Sequence, residues 1–136
     1  MQWSGEPNAG FTTGKPWLPL GSEYRRVNVA VQREDPRSVL ALHKALIKLR
    51  RAEPALQLGR LQLLEPAGDV LADVLTYLRE DRFLIALNIG STPQRIGLPR
   101  AGAIVLSTHL DRAEERVAGT LQLRPDEGVV VRLEVP

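Results

Sequence analysis

Hydrophobic and polar positions follow three different patterns along this chain, and each predicts a different kind of structure. Residues 1–34 show neither helical nor alternating periodicity, which predicts a long irregular loop. Residues 35–53 repeat hydrophobic side chains every three or four positions, as in an amphipathic α-helix. Residues 55–136 contain short runs of Val, Leu and Ile between turn residues, which predict strands. The chain is therefore expected to be mainly β, with a long loop and one helix ahead of the strands.

Boundary signals mark both ends of the predicted helix. Asp35 suits the N-cap and Pro36 suits the first helical position, where a missing N–H costs nothing. Pro54 ends the helix because it pushes Glu53 out of helical geometry. The apolar stripe of this helix is formed by Val39, Leu42, Leu46 and Leu49.

Seven strands are predicted in the second half of the chain. They cover residues 60–64, 69–79, 82–89, 94–98, 103–109, 120–124 and 129–135. Short strands at regular spacing are typical of an antiparallel β-sandwich or barrel. The Pro-Asp turn before Gly128 predicts a last hairpin that pairs residues 121–124 with residues 129–135.

The irregular N-terminal segment is rich in large aromatic side chains. Trp3, Phe11, Trp17 and Tyr24 all lie in it, although aromatic residues make up only 4% of the chain. Disordered segments rarely contain such residues, which lower the free energy only when they are buried. We therefore expect an ordered surface loop that lies on a neighbouring element.

Composition and charge narrow the range of partners. The chain has 136 residues, a net charge of +2 and no cysteine. Its basic residues are scattered among acids and do not form the stripe that nucleic acids require. No apolar run reaches membrane-spanning length. We expect no nucleic-acid or membrane partner, no cofactor and a cytoplasmic location.

No catalytic or metal site is evident among the polar residues. The acidic cluster of residues 111–115, close to His109, is interleaved with arginines and is more typical of a charged loop than of an acid–base pair. A triad of Ser107, His109 and Asp111 lacks the strained elbow that presents a nucleophile. We therefore predict no catalytic residue and no metal ligand in this chain.

Two stretches carry a family resemblance. MQWSGEPNAGFTTGKPWLPL at residues 1–20 and YRRVNVAVQREDPRSVLALHKALIKLRR at residues 24–51 resemble the C-terminal part of α-glucosidases of the α-amylase superfamily, glycoside hydrolase family thirteen. ALNIGSTPQRIGLP and the segment from STHLDR onward resemble the family's C-terminal β-sandwich, domain C. Ser4 replaces the Asp of many members, as in trehalose synthase-like relatives, whereas NAGFTTGKPWLP is closer to oligosaccharide-cleaving α-glucosidases.

The resemblance implies a division of the chain and a place for its loop. Residues 1–53 would be the last loop and closing helix of a (β/α)8 barrel, and residues 54–136 the sandwich domain. The catalytic Asp, Glu and Asp of the family lie upstream, at the ends of the fourth, fifth and seventh barrel strands. Trp3, Asn8 and Phe11 would rim the sugar pocket of the parent enzyme, with simple packing of these side chains as the alternative.

The same resemblance sets the expected function. Met1 corresponds to an interior methionine of the family motif, so we expect an inactive fragment that supports a catalytic barrel. Its partner is either that barrel or a second copy, bound through the stripe of Val39, Leu42, Leu46 and Leu49. The alternatives are a stand-alone carbohydrate-binding sandwich, for which residues 55–136 offer only Tyr77 and Phe83 as aromatics, and an interaction module working with a separately encoded barrel.

Overall fold

The computed structural model describes residues 1–64 and 73–135 and divides the chain into two units, Met1–Ala45 and Leu46–Pro136. The helical elements are a 3-10 turn at Pro7–Gly10, α1 at Val29–Glu34, α2 at Val39–Ala52 and α3 at Pro54–Gln57. The strands are β1 Leu61–Leu64, β2 Val74–Arg79, β3 Phe83–Asn88, β4 Gln94–Gly97, β5 Gly102–Ser107, β6 Arg116–Val117, β7 Thr120–Leu123 and β8 Gly128–Leu133.

The first unit contains a short helix, α1, that the sequence pattern did not predict. Its N-cap is the buried Asn28, whose Oδ1 accepts a hydrogen bond from Val31 N at 3.0 Å. Asn28 Nδ2 also donates to Tyr24 O at 2.8 Å, which holds the preceding loop against the cap. Six residues are too few to display a helical period, so this capping network is what defines the helix.

Helix α2 begins three residues later than the sequence indicated. The predicted cap, Asp35, instead closes a turn in which its Oδ1 accepts from Arg37 N at 2.8 Å. Ser38 takes over the capping role, since its Oγ accepts from Ala41 N at 3.1 Å and donates to Gln32 O at 2.7 Å. The predicted end is confirmed, because α2 ends at Ala52.

The second unit is built mainly of antiparallel strands, as predicted. Its six-stranded sheet has the order β1-β2-β3-β8-β5-β6, and β4 and β7 form a separate two-stranded sheet. All seven predicted strands have a counterpart, and β6 is an additional short strand. The predicted strand at residues 69–79 is observed as β2, while residues 69–72 lie outside the described part.

The predicted last hairpin is wrong. β7 pairs with β4, whereas β8 lies between β3 and β5 in the other sheet. The turn between β7 and β8 therefore carries the chain from one sheet to the other. Within it Arg124 N donates to Glu127 Oε2 at 2.8 Å and Asp126 N donates to Gly90 O at 3.1 Å, and these bonds replace a hairpin ladder.

The larger of two buried apolar clusters among the described residues lies between the two sheets of the second unit. Its buried members are Val74, Leu78, Leu84, Ala86, Ile96, Ile104, Val117, Leu121, Leu123, Val129, Val131 and Leu133. They alternate along each strand with residues of the opposite face, as the pleat of a strand requires.

The opposite face of the six-stranded sheet is apolar as well. Phe83 and Ile85 on β3 are buried there with Ala55 of α3. Toward the β1 edge this face stays open: Leu61 and Leu63 are exposed and stand beside their β2 partners Arg79 and Tyr77.

Candidate functional site

The predicted pocket-rim residues lie on a tightly wound turn of the first unit. Asn8 and Ala9 both adopt left-handed backbone angles, with φ of 56° and 53°, and Gly10 follows with φ of 70°. Such angles are strained for residues other than glycine, so surrounding contacts must hold them. Asn8 Nδ2 donates to Thr12 O at 3.1 Å and to Gly14 O at 3.0 Å. The Asn8 amide therefore organises the loop around it.

Trp3 is attached to the same turn through its backbone. Trp3 N and Ser4 N donate to Ala9 O at 2.9 and 3.2 Å. The Trp3 and Phe11 side chains remain about half exposed. Packing alone therefore leaves much of both aromatic rings uncovered.

A groove of about 540 Å³ lies in the first unit, within the size range of small-molecule sites. Phe11 lines it together with Trp17, whereas Trp3 and Asn8 do not. Trp17 is 90% exposed and was not among the predicted site residues. The sequence did carry a signal for Trp17, which lies in a Pro-Trp-Leu-Pro segment without periodicity. Such a segment forms no strand or helix whose packing would bury the indole ring. The structure thus brings Phe11 and Trp17 to one groove.

Two acids of the cluster at residues 111–115, Asp111 and Glu115, belong to an ion-pair network of the second unit. Arg112 donates to both carboxylate oxygens of Glu115 at 2.7 Å and to Glu127 Oε2 at 3.0 Å. Arg124 donates to Asp111 at 2.7 and 2.8 Å and to Glu127 Oε1 at 2.6 and 3.1 Å. The Glu127 side chain, whose position in a turn is typical of a solvated acid, is fully buried between the two arginines.

The charges in this network are fixed by their partners. Hydrogen bonds from Arg124 hold the pKa of Asp111 far below its usual range. Burial alone would raise the pKa of Glu127, but hydrogen bonds from Arg124 and Arg112 outweigh burial and lower it. A general acid needs a raised pKa near the working pH. These carboxylates stay ionised and are suited to structure rather than to proton transfer.

The Ser-His-Asp alternative fails on geometry. Ser107 is buried, and its Oγ donates to Asp111 Oδ1 at 3.2 Å rather than to His109, which is exposed. A nucleophilic serine needs a base within hydrogen-bond reach. Over residues 1–64 and 73–135, no group of three His, Asp or Glu side chains is placed to hold a metal ion.

The two aromatics of the second unit do not form a sugar-binding platform. Phe83 is completely buried, and Tyr77 is half-buried against it. Among the described helices, none is long and apolar enough to cross a membrane.

Comparisons with known proteins give these features a context. Residues 1–59 match the family model of the α-amylase catalytic domain. The chain is 36% identical to an oligo-1,6-glucosidase of Heyndrickxia coagulans, over 98% of this chain and 23% of that enzyme. It is 33% identical to the trehalose-6-phosphate hydrolase of Escherichia coli, over 95% of this chain and 24% of that enzyme.

A solved structure agrees with the sequence relatives. The trehalulose synthase MutB from Pseudomonas mesoacidophila MX-45 superposes with a TM-score of 0.83 at 30% identity, over 98% of this chain and 24% of MutB. The resemblance to the C-terminal part of α-glucosidases of the α-amylase family is confirmed. This α-amylase-family chain spans about a quarter of the length of the curated relatives that it matches.

Proposed function

We propose that this chain is the C-terminal part of an α-glucosidase acting on α-linked oligosaccharides, and that it supports a catalytic barrel but is inactive alone. In this proposal residues 1–53 are the last loop and closing helix of a (β/α)8 barrel, and residues 54–136 form a C-terminal β-sandwich. Retaining glycoside hydrolysis needs two carboxylates on either side of the scissile bond. Asp111, Glu115 and Glu127 are each paired with an arginine, which supports the inactivity of the chain alone.

The observation that carries the proposal is the apolar outer face of the six-stranded sheet. Leu61 and Leu63 are 52% and 66% exposed, and Leu75 is 44% exposed. Burying a leucine side chain stabilises a protein by about 1.5–3 kcal/mol, so three exposed ones indicate a missing partner. About three quarters of the length of these relatives lies outside the matched region. We assign this face to the catalytic part of such an enzyme.

Complementation tests this assignment. The Heyndrickxia coagulans oligo-1,6-glucosidase would be truncated to remove the quarter that matches this chain, and the two pieces would be expressed together. We expect turnover of a chromogenic α-glucoside from the pair and none from this chain alone. Leu63→Asp should reduce the recovered turnover by about tenfold or more, because a carboxylate replaces an apolar contact.

Val135→Asp is the matched control, since Val135 is 89% exposed and lies beyond the end of β8. It should leave the recovered turnover unchanged. Equal losses from both variants, or turnover by the purified chain alone, would contradict the proposal.

The rim assignment of Trp3, Asn8 and Phe11 remains part of the proposed function. Half-exposed rings at Trp3 and Phe11 support it, because loops at the C-terminal ends of barrel strands build barrel active sites. In the reconstituted pair, Phe11→Ala should raise KM more than it lowers kcat. An unchanged KM would assign these residues to packing.

Without a barrel, we propose that the α2 stripe of Val39, Leu42, Leu46 and Leu49 binds a second copy. No residue of α2 is buried, and Val39 is 67% exposed, which supports this. Light scattering across a concentration series should show dimers that Leu46→Lys disrupts; a monomer at high concentration would refute it. We also propose a cytoplasmic location, which fractionation of the producing cells tests.

A further inference from the structure

Three exposed polar side chains share the outer face of the two-stranded sheet. Arg95 on β4 stands directly opposite Gln122 on β7, and Thr120 lies two positions earlier on the same face. None of the three side chains makes a hydrogen bond to another residue within the described ranges. Gly97, opposite Thr120, leaves open space, because a Cβ there would meet nothing within 4 Å.

These side chains line a cavity of about 400 Å³ whose wall also carries two arginines and a glutamate. Arg112 is shared between Glu115, whose two oxygens accept from it at 2.7 Å, and the buried Glu127, whose Oε2 accepts from it at 3.0 Å, so its charge is already compensated within the protein. Arg116 pairs with Glu134 at the surface, where both side chains are mostly exposed and the pair is weak. Arg95 forms no ion pair in the part of the chain that the structure describes, so its charge is free to attract an anion.

We propose that this cavity binds a small phosphate-type oxyanion, either free phosphate or a phosphate monoester. The planar guanidinium of Arg95 matches two oxygens of such a group with a forked pair of donors. The Thr120 hydroxyl and the Gln122 amide supply further donors from the same face. A neutral ligand would leave the charge of Arg95 uncompensated. A doubly charged anion would also be attracted by the positive charge of Arg116.

Titration calorimetry on the full chain tests the site. Inorganic phosphate would be added at constant ionic strength, with chloride as the balancing salt. We expect saturable binding with one ion per chain. Arg95→Gln should weaken it by about tenfold or more, because it removes the charged fork. Thr120→Val should weaken it by about threefold, because it removes one donor to the anion.

Two matched variants separate a built site from general attraction. Arg60→Gln removes an equal charge from an exposed arginine that precedes β1 and should leave the affinity unchanged. Arg95→Lys keeps the charge but loses the fork, and should bind with intermediate affinity. Glycerol phosphate in place of phosphate distinguishes the two sources of the anion.

Tighter binding of glycerol phosphate assigns the site to a monoester, and tighter binding of phosphate assigns it to the free ion. Phosphate binding that is not saturable would overturn the proposal. So would an equal loss of affinity in Arg60→Gln and Arg95→Gln.

Discussion

The buried carboxylate of Glu127 offers the sharpest test of what holds the second unit together. Its two oxygens accept four hydrogen bonds: from Arg124 N at 2.8 Å, Arg124 Nε at 3.1 Å, Arg124 Nη2 at 2.6 Å and Arg112 Nη1 at 3.0 Å. Replacing Glu127 with Gln keeps the shape but removes the charge. Each carboxylate oxygen accepts from arginine donors, so in either orientation the new amide N–H₂ faces donors and two of the four hydrogen bonds are lost.

The expected cost follows from the burial of the group. Removing one partner of a buried, hydrogen-bonded ion pair destabilises proteins by about 3–5 kcal/mol. The Arg124 side chain is 41% exposed and can still hydrogen-bond to water and to Asp111. The free-energy cost of losing the Glu127 charge is therefore expected near the lower end of that range. We expect Glu127→Gln to cost about 3 kcal/mol of unfolding free energy.

Urea unfolding followed by circular dichroism measures this change. With a denaturant slope of about 2 kcal/mol per M, the midpoint should fall by about 1.5 M. Glu134→Gln is the matched control, because the Arg116–Glu134 pair is exposed and should cost less than about 0.5 kcal/mol. Equal midpoints for the two variants would refute the reasoning that burial makes Glu127 structurally important.

Three further outcomes follow from the same physical arguments. The pKa values of Asp111 and Glu127 are lowered on folding, so both carboxylates stabilise the fold fully above their unfolded pKa values of about 4. This stabilisation is lost as the pH falls from there toward the lowered pKa values of the folded state. Acid titration of urea midpoints should show this loss, and a flat profile would contradict it. Asp81→Gly should increase the free energy of unfolding by up to about 1 kcal/mol, because Asp81 is held at φ of 49° in the β2–β3 turn. A lower urea midpoint for this variant would show that the aspartate side chain matters more than the backbone strain. Gly10→Ala should destabilise the first unit by about 1–2 kcal/mol, since the alanine Cβ would lie 2.6 Å from Ser4 Oγ and the backbone φ of residue 10 is 70°. Tryptophan fluorescence measures the unfolding of this unit, and an unchanged transition would refute the prediction.

Local patterns were sufficient for most elements of this chain. The three- and four-residue spacing of Val39, Leu42, Leu46 and Leu49 located α2, and Pro54 located its end. Alternating apolar runs between turn residues located seven of the eight strands that the described residues form. These features depend on backbone period and turn chemistry, which a short stretch of residues specifies by itself.

The candidate sites were predicted less completely than the elements. The sequence singled out Phe11 but not its neighbour Trp17 in the groove, and it noticed residues 111–115 but not the burial of Glu127. A carboxylate in a Pro-Asp-Glu-Gly turn has the pattern of a solvated surface acid. Only contacts with distant arginines remove it from water, and no local pattern encodes those contacts.

The amino-acid sequence by itself determined the position and the end of α2, the positions of seven strands, and the relationship to the C-terminal part of α-glucosidases. Only the tertiary structure decided that β7 joins β4 while β8 enters the larger sheet, and that Arg95, Thr120 and Gln122 share one cavity. The physical reason is that helices and turns are held by neighbours in the chain. A strand's partner and an ion pair's burial, in contrast, depend on the free energy of contacts between residues far apart in the sequence.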